Sequence, residues 1–265
     1  MKKIIVVFYF SSLCFNLHAE SVYTYNLKYD IPLTALSLGL FGISFMIDKE
    51  PSYIPDSFNK NNINALDRIF LFPPLGEGMM DLGNIAFHTM PFLPVITVFG
   101  IINYDELFTR DNFDTLLTYG LMYTQGYALT FGTRTTLKNT ITRYRPYLYD
   151  DRIQSEFSEY DQNSFPSGST SMTFYSAAFL STTFSQEYPE SKWKLPIIIG
   201  TYTLASIVPI SKVTTGRHYF TDVLAGMAIG SFYGWAIPFF HKRQHKNDNV
   251  EISYLGNGLL VSLKL

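Results

Sequence analysis

The sequence predicts an all-α fold, a membrane-embedded helical bundle of about six helices with a short C-terminal β-hairpin. Three observations carry that expectation. Of 265 residues, 47% are hydrophobic and 17% aromatic, enough to fill a large core or to face lipid. Six stretches contain no Asp, Glu, Lys or Arg. Residues 250–265 instead alternate apolar and polar side chains around Gly256-Asn257-Gly258, a hairpin pattern.

The elements follow in chain order. Residues 1–19 join Lys2 and Lys3 to an apolar run from Ile4 to Phe10 and end on Ala19 before Glu20, the pattern of an export signal or of an uncleaved signal anchor. The charge-free stretches are Ile31 to Ile47, Leu82 to Tyr104, Thr115 to Thr133, Gln162 to Gln186, Leu195 to Ser211 and Val223 to Phe240. Each approaches the roughly 20 residues that a helix needs to cross a bilayer. The third and fourth are crowded with Thr, Ser, Gly and Tyr, residues suited to helix faces packed against protein. Residues 20–249 are read as one helical domain, and 250–265 as the hairpin.

Composition also excludes several functions. A net charge of -2 offers no basic face for a nucleic-acid backbone, so no nucleic-acid partner is expected. The single cysteine, Cys14, builds neither a disulfide framework nor a thiolate metal site. No metal and no cofactor are expected.

Three short segments bring anion-binding and nucleophilic groups to the ends of the expected helices. The first is Lys138-x6-Arg145-Pro146. Two cations without a nearby acid suit a phosphate, to which arginine offers a planar fork and lysine a point charge. The second, Phe165-Pro166-Ser167-Gly168-Ser169-Thr170, opens a helix whose first N–H groups are free to meet an anion, although an ordinary N-cap looks the same. The third is Ser211-Lys212-x5-His218-x3-Asp222, with Gly216 just before the histidine. One helical turn separates His218 from Asp222, so the carboxylate is expected to hold one ring nitrogen while the other faces phosphate.

In order and spacing, these segments resemble the signature of the type-2 phosphatidic acid phosphatase and vanadium haloperoxidase superfamily, K-x6-RP, PSGH and SR-x5-H-x3-D. The resemblance covers about residues 113–240. It implies a helical core with the three segments meeting at one end. It also implies that His218 forms a phosphohistidine, that Asp222 orients it, and that Lys138, Arg145, Lys212, Ser167 and the Gly168 N–H hold the phosphoryl oxygens without a metal. The substrate so implied is a lipid phosphate or diphosphate among membrane lipids.

Two positions depart from that signature. Lys212 replaces an arginine, keeping charge but losing the bidentate fork. Ser169 stands where the family has its general-acid histidine. Serine cannot supply that proton near neutral pH, and general acid catalysis is worth about 10²- to 10⁴-fold. The expectation is therefore a lipid phosphatase or diphosphatase favouring polyprenyl diphosphates, or else an impaired pseudophosphatase that binds phospholipid headgroups. His88 is a remote substitute for the missing acid. Placing the active loops outside leaves Lys242, Arg243 and Lys246 inside, as positive charge prefers. This predicts a multi-pass cell-membrane protein with its site facing the periplasm or exterior, the alternative being an exported periplasmic or outer-envelope protein.

Overall fold

The computed structural model describes residues 21–49, 58–71, 76–99, 110–150, 158–242, 250–255 and 258–263. The expected leader, residues 1–19, and the basic stretch that contains Arg243 and Lys246 lie outside the described residues. The helices are α1 (Leu27–Ile43), α2 (Ala65–Ile69), α3 (Glu77–Thr89), α4 (Val95–Phe99), α5 (Arg110–Thr140), α6 (Gly168–Glu187), α7 (Lys194–Thr214) and α8 (Phe220–His241). Strands β1 (Val250–Leu255) and β2 (Gly258–Leu263) pair antiparallel, with Leu255 opposite Gly258.

Helix α6 forms the axis of the bundle and is buried along most of its length. Its hydroxyls are accommodated locally, because Ser171, Thr173, Ser176 and Thr183 each donate to the carbonyl four residues earlier, a bond that satisfies a buried hydroxyl inside a helix. Helix α8 lies directly on it through Gly226, Gly230 and Gly234, spaced one turn apart. A Cβ at Gly230 would stand 2.1 Å from the Ser171 carbonyl oxygen, and the flanking two glycines approach the Ser167 and Tyr175 carbonyls in the same way. Small residues at this spacing let two helix backbones touch.

Helix α5 packs on the other side of α6, where Tyr175 donates to the Tyr123 carbonyl at 2.7 Å. Met122, Tyr119, Phe179 and Ile237 close an aromatic-rich core there. Helix α1 is capped by Asn26, which accepts from the Lys28 N–H, and leans on α5 through Gln125, which donates to Thr34 at 2.8 Å. At the end of the bundle where α8 finishes, Asp30 accepts from His241 at 2.5 Å. Close by, Glu187 takes the hydroxyls of Ser21 and Tyr119 and the Val22 N–H, while Tyr23 bridges to Lys242.

The surface of the bundle is apolar. Ile31 and Leu38 on α1, Leu195 and Ile199 on α7, and Phe232, Trp235 and Phe239 on α8 are each more than half exposed, a distribution that suits contact with lipid.

Two expectations need correction. Leu82 to Tyr104 is not one continuous span: α3 ends at Thr89, a 3₁₀ turn covers Met90–Phe92, and α4 begins at Val95. Pro91 and Pro94 lie at the break, where each lacks an N–H and clashes with the preceding turn. The run from Gln162 also starts its helix later, at Gly168, after a separate 3₁₀ turn at Glu159–Gln162. Among the described residues, α7 and α8 are the helices long and apolar enough to cross a membrane, with mean hydropathies of 1.4 and 1.5.

Candidate active site

The C-terminal ends of α5 and α7 and the N-terminal ends of α6 and α8 meet at one end of the bundle, and the three sequence segments meet with them. Helix α7 stops because Gly216 adopts φ 67, the left-handed conformation that closes helices cheaply at glycine. The N–H groups of Arg217 and His218 both return to the Lys212 carbonyl at 3.0 Å, so the chain reverses tightly and turns the imidazole inward.

His218 is 6% exposed. Its Nδ1 lies 2.6 Å from the Ser164 carbonyl oxygen and 3.6 Å from Asp222 Oδ2. A carbonyl only accepts, so Nδ1 carries the hydrogen and Nε2 keeps its lone pair. Asp222 was expected to hold the ring directly. The closer acceptor is instead a backbone oxygen, and Asp222 acts one step away, accepting the Ser164 hydroxyl at 2.5 Å and the Tyr219 N–H at 2.9 Å. Burial, reinforced by the charges of Lys138 and Arg145 and opposed by Asp222, brings the His218 pKa down to about 4. The ring is therefore neutral at physiological pH.

Behind Asp222 stands a chain of ionic contacts that sequence reading missed. Arg143 donates to Asp222 at 2.5 Å and to the Thr221 hydroxyl at 2.8 Å, and its other nitrogen pairs with Asp67 on α2. Asp67, 1% exposed, also accepts the Thr221 N–H and hydroxyl and the Asn64 amide. Arg143 sits inside the Lys138-x6-Arg145 segment, so its position was visible. Asp67 has no pattern around it in the sequence.

The expected phosphate-binding residues converge. Arg145, 1% exposed, donates to the carbonyls of Tyr160, Arg217 and Asn163 and stacks over the Tyr160 ring. Lys138 donates to the Asn163 carbonyl at 2.7 Å and is close enough to Arg145, Arg134 and Asp222 for their charges to act on it. Lys212 reaches Asn84 on α3 at 3.3 Å and feels Arg145 and Arg217. Lys49, which sequence reading also missed, binds the carbonyls of Lys138, Ile141 and Gln162 and the Asn163 side chain, and burial lowers its pKa.

At the start of α6, Ser167 gives its N–H to the Asp222 carbonyl and its hydroxyl pairs with Thr170. No side chain caps the helix, and the first N–H groups of a helix lack intrahelical partners, so those of Gly168, Ser169 and Thr170 are placed where an anion could be met. Ser169 is half-buried there. His88 lies one turn beyond Asn84 along α3, away from this end, in a groove with Asp81, Ile85 and Phe92.

A neutral imidazole with one free nitrogen, helix N–H groups and several cations at one helix-bundle end is a constellation with known counterparts. The sequence model of the PAP2 superfamily covers this region. Residues 115–246 match the PAP2 superfamily. The match covers about half the chain and includes all three segments. Over 73 residues the chain is 40% identical to the lipid A 1-phosphatase of Porphyromonas gingivalis, a stretch that is 27% of this chain and 15% of that protein. In fold, the chain is similar to the crystal structure of the transmembrane PAP2-type phosphatidylglycerolphosphate phosphatase from Bacillus subtilis. The TM-score is 0.50 at 21% identity, covering 82% of this chain and 98% of the other. The PAP2 match runs from within α5 to the end of α8.

Proposed function

We infer that this protein is a membrane phosphatase acting on lipid phosphates or diphosphates, with His218 as nucleophile. The observation that carries the reading is the neutral, buried His218, its Nδ1 tied to the Ser164 carbonyl, beside Lys138, Arg145 and Lys212, none of which has a carboxylate within ion-pair distance among the described residues. Cations that no described carboxylate pairs, beside a ring nitrogen with its lone pair, suit a phosphoryl group in attack position. The matched segment of the P. gingivalis lipid A 1-phosphatase points to the same substrate class.

In the first step His218 Nε2 attacks phosphorus, forming an N–P bond as the P–O bond to the leaving group breaks. Water then attacks the phosphohistidine, releasing orthophosphate and returning the electron pair to Nε2. Lys138, Arg145, Lys212 and the Gly168 N–H neutralise the phosphoryl oxygens, and Ser167 anchors the helix start that presents them. Asp222 holds the Ser164 segment against which the imidazole is set.

Ser169 shapes the substrate preference. An alkoxide leaving group needs a proton, whereas a phosphate leaving from an anhydride is stable near neutrality, with a second pKa of about 6. We therefore assign a preference for polyprenyl diphosphates or other phosphoanhydrides, with the site facing the periplasm or exterior. The same Ser169 favours a second reading, a pseudophosphatase that binds phospholipid headgroups without turnover.

Phosphate release from a panel of lipid diphosphates and monophosphates tests both readings in wild type, His218→Ala and Ser169→His proteins. Release that disappears in His218→Ala and rises on monoesters in Ser169→His supports the enzyme. Saturable headgroup binding with no release and no labelling of His218 supports the pseudophosphatase.

A further inference from the structure

Arg134 has no role in the site as described, yet its surroundings are unusual. It lies on α5 one turn before Lys138, on the same helix face, and the two charges act on each other. Its Nη1 packs against the first residue of α6, so closely that a Cβ on Gly168 would stand 2.8 Å away. Its Nε is buried without a hydrogen-bond partner. Among the described residues no carboxylate pairs with it, and its neighbour is the Phe131 ring, 3.9 Å from Cζ. A guanidinium is always charged, and this part-buried one has no carboxylate beside it among the described residues. Something anionic is expected to complete it.

Position says which anion. From one turn before Lys138, the Arg134 side chain reaches the start of α6 at Gly168, beside the helix N–H groups that meet the reacting phosphoryl group. Lys138 and Arg145 already serve the reacting phosphoryl group. A second cation flanking the same corner meets the group joined to that phosphoryl.

Building on the phosphatase reading, we propose that Arg134 binds the second phosphate of a lipid diphosphate, which is the leaving group of the reaction. When His218 Nε2 takes the terminal phosphoryl group, the bridging oxygen keeps the electron pair of the breaking P–O bond and departs on the lipid monophosphate. Arg134 neutralises the charge that develops there. It transfers no proton, and a departing phosphate requires none. Arg134 thus sets specificity where Ser169 withholds general acid catalysis.

Two measurements on the full chain in detergent test this assignment. The first compares binding of inorganic diphosphate and orthophosphate to wild type, Arg134→Gln and Arg134→Lys by calorimetry. Wild type is expected to prefer diphosphate by roughly 10- to 100-fold, the value of a charge-assisted contact. Arg134→Gln should lose that preference, and Arg134→Lys should recover part of it. The second compares kcat/KM for a short-chain prenyl diphosphate and the matching monophosphate. Their ratio should fall by a similar factor in Arg134→Gln.

Equal binding of the two anions by wild type overturns the proposal, as does an equal loss on both substrates. The two readings fail separately. Diphosphate preference without any phosphate release removes the enzyme but keeps the Arg134 site, whereas release that His218→Ala abolishes, with no diphosphate preference, removes Arg134 alone.

Discussion

The Ser164 carbonyl oxygen sits 2.6 Å from His218 Nδ1, so a backbone atom fixes the tautomer of the proposed nucleophile. Residue 164 belongs to the loop that leads into α6, and its hydroxyl is in turn held by Asp222. Ring orientation, helix start and carboxylate therefore form one unit, and displacing any of them moves Nε2.

The first prediction concerns protonation. With a folded pKa of about 4 against an ordinary value near 6.5, the unfolded chain binds a proton that the folded chain refuses between those two values. Stability should fall as pH drops through that window. Nitrogen NMR of labelled histidine should show His218 as the Nδ1–H tautomer from pH 8 to pH 5. Titration near pH 6.5 would contradict the buried, carbonyl-bound ring.

The second concerns the Asp67–Arg143–Asp222 chain. Removing one partner of a buried ion pair typically costs about 3–5 kcal/mol, so Asp67→Ala should lower unfolding stability by an amount of that order. It should also reduce kcat more than it raises KM, because Asp67 acts through Asp222 on the nucleophile. Asp67→Glu should restore part of both. A change in KM alone would place Asp67 outside the positioning chain.

The third concerns helix contact. Gly230→Ala puts a methyl group 2.1 Å from the Ser171 carbonyl oxygen and must push α6 and α8 apart. Overpacking of this kind costs about 1–3 kcal/mol or more. Gly200→Ala, at a position with no atom within 4 Å, is the matched control and should melt at or above the wild-type temperature.

The fourth concerns Lys49, whose ammonium gathers oxygens from the end of α5 and from residues 162 and 163. Lys49→Met keeps the stem and removes the donors. These acceptors are part-buried or exposed, and the Gln162 carbonyl keeps the Arg143 N–H, so the variant should lose about 1 kcal/mol and become more sensitive to protease between Thr140 and Gln162. Unchanged proteolysis would show that the loop holds without it.

The parts of the site that sequence shows are those whose spacing is fixed by helix ends. Lys138, Arg145, Gly168, Lys212, His218 and Asp222 sit at such ends, so their intervals survive in the chain. Ser164 escapes notice because its contribution to the ring is a carbonyl, which every residue possesses. Asp67 and Lys49 reach the site from remote segments where no local pattern marks them. The break at Pro91 and Pro94 is visible as two prolines, inside a stretch whose lack of charge otherwise suggests one span. The contact between α6 and α8 was also written in the chain, as glycines at 226, 230 and 234, a period that only the packed helices make meaningful.

The contact between Tyr23 and Lys242 brings the first and last residues of the bundle to a common exit. From there α8 runs 22 residues to the His218 corner, a rise of about 33 Å, comparable to the thickness of a bilayer's hydrocarbon core. In a bundle set across a membrane, both exits open into one compartment and the pocket into the other. A single reporter fused after Lys242 thus reads the sidedness of the pocket.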